Sequence, residues 1–396
     1  MEEENNINQL IENLSKDKLE QFKNEINICQ NIFINQINEK FQKFDQAFNF
    51  QIEKYNQQIK NKLIDDMLRK KEINIEELKI PPLISLKKLD NTNYLINLIL
   101  QYLSNVKLLV LYFLSQKNEN KIHQNSNNNP AGIYLCPAFQ KLLDNLWKGA
   151  NNIYQPKEIH EILKKLMNNE YNSSNPGKFL EFIILKLHEE LKSNKFFLEK
   201  PDGNFEEKKA YDQFDTYFHH YKTKASVEFF ATIEIIKKPP NMPNFYSFET
   251  APTIEINLDN AKRPNLSLEI DFKDLYKNYN EQINQGYIKK SIINIPNQLI
   301  ININRGNNQK NFVYPLILEI KCILEKSDLV KNELSNLYDL YGVIMKNNQD
   351  YYAYLKNCIN SKWYFYKDEV IQLVNDENDV INEKKAILLI YRKITQ

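Results

Sequence analysis

Between Leu19 and Met67 the apolar side chains recur at steps of three and four, from Phe22, Ile26 and Cys29 through Phe33, Ile37 and Phe41 to Tyr55, Ile59 and Leu63. The mean step is about 3.7 residues, close to the helical repeat, so one face of a continuous helix is apolar. Such a helix, about 50 residues long, would extend roughly 75 Å. A weaker apolar piece, Ile7 to Leu14, predicts a separate short helix ending near Ser15. No proline or glycine occurs before Pro81-Pro82, where the missing amide hydrogen and the restricted preceding residue end the helix. Residues 1–80 are therefore expected to form a long helical, coiled-coil-like arm. It packs either on its own domain or on another chain.

Beyond the prolines the pattern changes twice. Leu95 to Leu114 is apolar enough for a buried helix, but Asn97, Gln101, Asn105 and Lys107 break it too often for a membrane span. Residues 117–131, with the run "HQNSNNNP", read as a loop. Pro137 to Trp147, Pro156 to Met167 and Pro176 to Leu191 read as helices, each opened by a proline in its first turn. From about residue 211 short β-rich runs follow: "SVEFFATIEI", "TIEINL", "LSLEIDF", "LIININR", "DLYGVIM", "DYYAYLKN", "KWYFYK" and "AILLIYRK". Helices first and strands afterwards predict an α+β domain over 83–396, with a helical part at about 83–200 and a β-rich part at about 211–396.

Charge adds an exclusion. Lys and Arg number 52 against 51 acidic residues, so no electrostatic case exists for nucleic acid or an anionic membrane surface. The four cysteines, Cys29, Cys136, Cys322 and Cys358, include no CxxC pair. They suggest reduced thiols in an intracellular protein and no zinc site. The acidic, polar start "MEEENNINQL" lacks the features of a targeting signal.

Several blocks, in order, resemble the catalytic domain of ubiquitin-specific proteases, papain-like cysteine peptidases that remove ubiquitin. "LKKLDNTNYLINLILQYLSN" is similar to the family's Cys box, GLxNLGNTCYMNSxLQxLxN. "FQKLLDNLWKG" resembles the helix after it, and "NPGKFLEFIILKLHEELK" the QQDAxEFLxxLLDxLHEEL box. "IINIPNQLIININR" matches the xxxLPxxLxIxLxRF strand. "YDLYGVIMKNNQDYYAYLKN" resembles YxLxAVxxHxGxxxxGHYxAYxKN. "KWYFYKDEVI" resembles KWYxFDDxxV, and "AILLIYRK" the closing strand. The resemblance runs from about residue 83 to the end. It implies a helical thumb with an antiparallel β palm and fingers.

It also implies where a thiolate, a histidine and an orienting acid belong. At those positions this chain has Asn93, Asp350 and Lys367, the last followed by Asp368. The oxyanion-donor position holds Lys88. Asn175, with Lys178 at the neighbouring acidic position, replaces the Asp that contacts the ubiquitin tail, and "KNNQ" replaces the glycines before the histidine. The two places of the family's zinc cysteines read "FHHYKTKAS" and "GYIKKSI", and His219 and His220 read as exposed loop residues. The histidines are His123, His160, His188, His219 and His220, so none follows residue 220. A rebuilt Cys136–His site is the remaining alternative to a small buried Cys136 before a helix.

The expectation is a catalytically inactive ubiquitin-specific-protease-like protein, a structural or protein-interaction subunit of a larger intracellular assembly of cytoskeletal, ciliary or ribonucleoprotein type. Protein partners would attach through the 1–80 arm, and neither cofactor nor metal is expected. Two other readings stay open: a ubiquitin-binding regulator, against which the altered tail positions weigh, and an active deubiquitinase with a non-standard site.

Overall fold

The computed structural model describes residues 23, 84–89, 94–115, 132–148, 152–167, 175–192, 199–261, 263–276, 281–283, 286–306, 310–320, 337–348, 350–381 and 384–394. All but the first lie in one compact unit, Ile64–Ile394. Apart from residue 23, the expected 1–80 arm falls outside the described residues, as does the 117–131 loop.

The chain enters through a two-residue strand β1 (Ser85–Leu86), which pairs in parallel with β2 (Ile153–Tyr154). Among the described residues five helices build the first lobe: α1 (Tyr94–Leu103), α2 (Lys107–Ser115), α3 (Leu135–Lys148), α4 (Lys157–Met167) and α5 (Pro176–Leu191). The three proline-opened helices stand where the sequence predicts them. The single helix expected over Leu95–Leu114 is instead two, bent by 80°. The break comes from outside the helix. Asn105 turns its side chain to the carbonyl of Lys356 and the amide of Cys358, and its own carbonyl accepts from the Tyr341 hydroxyl at 2.9 Å. No single described helix is long and apolar enough to cross a membrane.

The β-rich part begins later than about residue 211. Two helices precede it, α6 (Glu207–His220) and α7 (Lys224–Phe229). Phe214 and Phe218 stack at the four-residue helical spacing, with ring centroids 6.0 Å apart. Thr223 and Ser226 then form a reciprocal capping box that starts α7, and the helix takes up residues 226–229 of the run read as a strand. The strands β3 (Ala231–Lys238), β4 (Phe245–Ala251), β7 (Glu281–Ile283) and β8 (Gly286–Asn294) form a sheet of order β4-β3-β8-β7. Phe214 of α6 packs on Phe248 of β4 beside it.

The large sheet has the order β15-β14-β13-β12-β16-β9-β5, with β11 pairing on β12. Its strands are β5 (Ile254–Asn257), β9 (Gln298–Asn304), β11 (Ile317–Glu319), β12 (Leu337–Asn347), β13 (Asp350–Lys356), β14 (Trp363–Lys367), β15 (Val370–Leu373) and β16 (Ala386–Lys393). The pairings are antiparallel except β5–β9. One face packs Ala353, Leu355, Tyr366 and Ile390 against the helical lobe. The other packs Val343, Met345, Trp363 and Leu389 into a second core. "LSLEIDF", read as a strand, splits into β6 (Asn265–Ser267) and α8 (Leu268–Leu275). The Asp271 carboxylate reaches back to the amide of Ser267 at 2.7 Å and opens the helix there. β6 pairs in parallel with β10 (Asn311–Val313).

Candidate functional site

The site that the sequence points to lies where the head of α1 meets the β12–β13 and β14–β15 turns. The polar interruptions of α1 hold the helix in place. Gln101 Nε2 donates to the Ile84 carbonyl at 2.8 Å, and Asn97 Nδ2 to the carbonyls of Leu86 and Lys87 at 3.4 and 3.3 Å. The remaining oxygen of Asn97 lies 2.7 Å from His160 Nε2. Because the amide hydrogens of Asn97 are turned to carbonyls, its oxygen must accept, and His160 donates as a neutral imidazole. Burial lowers the His160 pKa to about 4, consistent with that form. Residues predicted as helix interior thus serve to strap the 84–87 segment along α1.

Asn93 lies outside the described residues, and α1 begins at its neighbour Tyr94. The Tyr94 hydroxyl donates to the carbonyl of Asp368, in the turn between β14 and β15. Burial, with Asp368 and Glu369 beside it, raises the Tyr94 pKa, so the phenol stays protonated and able to donate. The turn is tight: Lys367 pairs with Val370, and Asp368 sits at φ 50°. The other turn is built alike, with Asn347 paired to Asp350 and Asn348 at φ 57°.

Asp350 and Lys367 are brought together. Their side chains form an ion pair at 3.5 Å, with 70% and 43% of the side-chain surface exposed. Strand alternation places Asp350 on the face of Tyr352 and Tyr354, and Lys367 on that of Phe365 and Trp363. This is the sheet face away from Ala353, Leu355 and Tyr366, which pack on the helical lobe. Lys88 is exposed after β1. Asn175 is the N-cap of α5, its side chain accepting from the Lys178 amide at 3.2 Å. The two altered tail positions are therefore joined in one capping bond.

Among the described residues the other thiol and imidazole candidates are dispersed. Cys136 is buried in the first turn of α3, where the Glu190 carboxylate accepts from the amides of Leu135 and Cys136 at 2.9 and 2.8 Å. Burial, then the charge of Glu190, pushes its thiol well up, the opposite of activation. Cys358 is buried as well. His188 bonds Thr223 Oγ1 at 2.8 Å, and burial lowers its pKa to about 3. His219 and His220 are exposed but stand in the last turn of α6, not in a loop, and His219 bonds the Asp215 carbonyl at 2.8 Å. No group of three or more His, Cys, Asp or Glu side chains able to hold a metal ion occurs among the described residues.

The model of the family described as "Ubiquitin carboxyl-terminal hydrolase" matches residues 84–391. Ubiquitin carboxyl-terminal hydrolase 19 of Rattus norvegicus is 30% identical over 145 residues, which is 35% of this chain and 10% of that protein. The Homo sapiens protein of the same name is 31% identical over 131 residues, 32% of this chain and 10% of that one. The matched stretch is thus about a tenth of the length of these relatives. Among solved structures, the SAGA DUB module Ubp8/Sgf11/Sus1/Sgf73 bound to monoubiquitin is similar with a TM-score of 0.55 at 15% identity, over 80% of this chain and 70% of that one. The same module bound to ubiquitin aldehyde gives 0.55 at 16% identity with the same coverage. A yeast SAGA DUB module gives 0.53 at 16%, over 80% and 67%.

Proposed function

The chain belongs to the ubiquitin carboxyl-terminal hydrolase family, and from that premise we propose that this member has lost the peptidase reaction and acts as a protein-interaction subunit. The observation that carries the reading is the Asp350–Lys367 ion pair at the positions where the family keeps its histidine and orienting acid. An ammonium cannot orient an imidazole by accepting its N–H, and no imidazole follows residue 220 to be oriented. A carboxamide at Asn93 supplies no nucleophile.

A second register of the Cys box supports the same reading. Asn97, Leu100, Gln101, Leu103 and Asn105 follow Tyr94, rather than Asn93, at the spacing of the family pattern. An inserted residue would turn the rest of a helix by about 100°. The bonded helix body therefore favours Tyr94 as the counterpart of the nucleophile. Its phenol is protonated and engaged with Asp368. In either register the head of α1 lacks a thiol.

In this proposal the 1–80 segment is the attachment arm. The similar solved structures hold Ubp8 together with Sgf11, Sus1 and Sgf73, which supports assembly with other proteins as the working state of this chain as well. The test is hydrolysis of ubiquitin carrying a fluorogenic C-terminal amide by the full chain. The expected rate equals that of buffer. Turnover abolished by Cys136→Ser or Cys358→Ser would contradict the proposal.

A further inference from the structure

Residues 84–87 follow closely on Pro81-Pro82, where the 1–80 segment ends. They form a strap gripped from two sides. On one side the amides of Ser85 and Lys87 donate to the carbonyls of Asn152 and Tyr154 at 2.9 and 2.8 Å. On the other, Gln101 holds the carbonyl of Ile84, and Asn97 holds those of Leu86 and Lys87. Ile84 and Leu86 are buried in the same core as α1.

One side of α1 makes these bonds and one more. Seven residues turn a helix by about 700°, so Tyr94 and Gln101 stand within about 20° of each other round the axis, two turns apart. Asn97 lies between them. The strap bonds of Asn97 and Gln101 and the bond from the Tyr94 hydroxyl to the Asp368 carbonyl therefore leave the helix on the same side. Every residue of α1 after Tyr94 is buried, so the helix has no solvated side on which to absorb a change.

We propose that the strap 84–87 and the Tyr94–Asp368 bond are coupled through α1, so that drawing the strap out of the helical lobe opens the contact between α1 and the β14–β15 turn. Withdrawal leaves the amide groups of Asn97 and Gln101 buried without their partners and the space of Ile84 and Leu86 empty. A close-packed lobe keeps neither an orphaned amide nor a void of that size. α1 shifts toward the vacated space, and the Tyr94 hydroxyl on that side leaves Asp368. The effector is a partner that binds residues 1–80 and draws on the chain ahead of Ile84. That effector rests on the attachment role proposed above. The coupling does not, and it is tested without any partner.

A double-mutant cycle in the full chain, followed by denaturant unfolding, is the test. Leu86→Ala, with Ile84→Val as a milder form, loosens the strap and leaves the sequence of α1 intact. Tyr94→Phe removes the bond to Asp368 and alone shifts the unfolding equilibrium several-fold. In the Leu86→Ala background the same substitution is expected to shift it less than about twofold, because the bond is already open there. Phe214→Leu, in the separate core beneath the small sheet, is the control, and in it Tyr94→Phe keeps its full effect. Coupling is reciprocal. Tyr94→Phe is therefore expected to raise hydrogen exchange at the Ser85 and Lys87 amides, which are bonded in the wild type. Full additivity of Tyr94→Phe with both strap variants, or unchanged exchange at Ser85 and Lys87, would overturn the proposal. So would an equal loss of additivity with Phe214→Leu, since general destabilisation and not the strap would then be its cause.

Discussion

The hydroxyl of Tyr94, the first residue of α1, donates to the carbonyl of Asp368, 274 positions further along the chain. This bond closes the helical lobe onto the β14–β15 turn at the point where the family's reaction positions converge. Tyr94→Phe keeps the ring in its apolar surroundings and removes only the bond, at a cost of about 1 kcal/mol. Amide exchange at the first turn of α1 and at Asp368-Glu369 should then rise together. Unchanged exchange at Asp368-Glu369 would show that the bond does not hold the turn.

Asp350 and Lys367 are near enough to pair but too exposed to gain much from it. A double-mutant cycle with Asp350→Asn and Lys367→Met should give a coupling below about 1 kcal/mol that shrinks with added salt. A coupling several times larger would mean that the pair is a structural element of the sheet rather than a solvated remnant.

The fold was legible where the signal is local. Pro137, Pro156 and Pro176 announce helices because a proline in the first turn, or just before it as at Pro156, loses no intrahelical bond. The break after Leu103 was not legible, since its cause is Asn105 bonding to Lys356 and Cys358 from the far end of the chain. α6 was hidden by its aromatic residues, which suggest strand by type. The spacing of Ala210, Phe214 and Phe218 carried the helical period all the same. At the site, residue types could be read directly. The pairing of Asp350 with Lys367 could not, because it depends on two tight turns setting the register of β13 and β14. Nor could the meeting of Tyr94 and Asp368.

The buried imidazoles predict a pH dependence. His160 and His188 titrate near 4 and 3 in the folded chain, below the ordinary value of 6.5. The unfolded chain therefore binds more protons below 6.5, and their contribution to stability is complete above that pH. It is lost as pH falls toward 4 for His160 and toward 3 for His188, about 3 kcal/mol for the first and about 5 kcal/mol for the second. Thermal unfolding followed from pH 7 downward should show this slope. His160→Gln should flatten the part above pH 4, and an unaltered slope in that variant would refute the assignment.

Gly177 sits in the first turn of α5 against β9. A Cβ there would lie 2.3 Å from Cγ and 2.6 Å from Cβ of Asn302, which is buried. Gly177→Ala should destabilise the fold by about 1–3 kcal/mol through overpacking, measured by denaturant unfolding. Asn302→Ala in the same chain should recover only part of the loss, because the Cβ of residue 302 remains in the way.

The most direct test of lost chemistry is ubiquitin carrying a thiol-reactive electrophile at its C-terminus, incubated with the full chain and read by intact mass. The account predicts the mass of the unmodified chain alone at every pH at which the protein is folded. A stoichiometric adduct of one ubiquitin, mapped to any of the four cysteines, would contradict it.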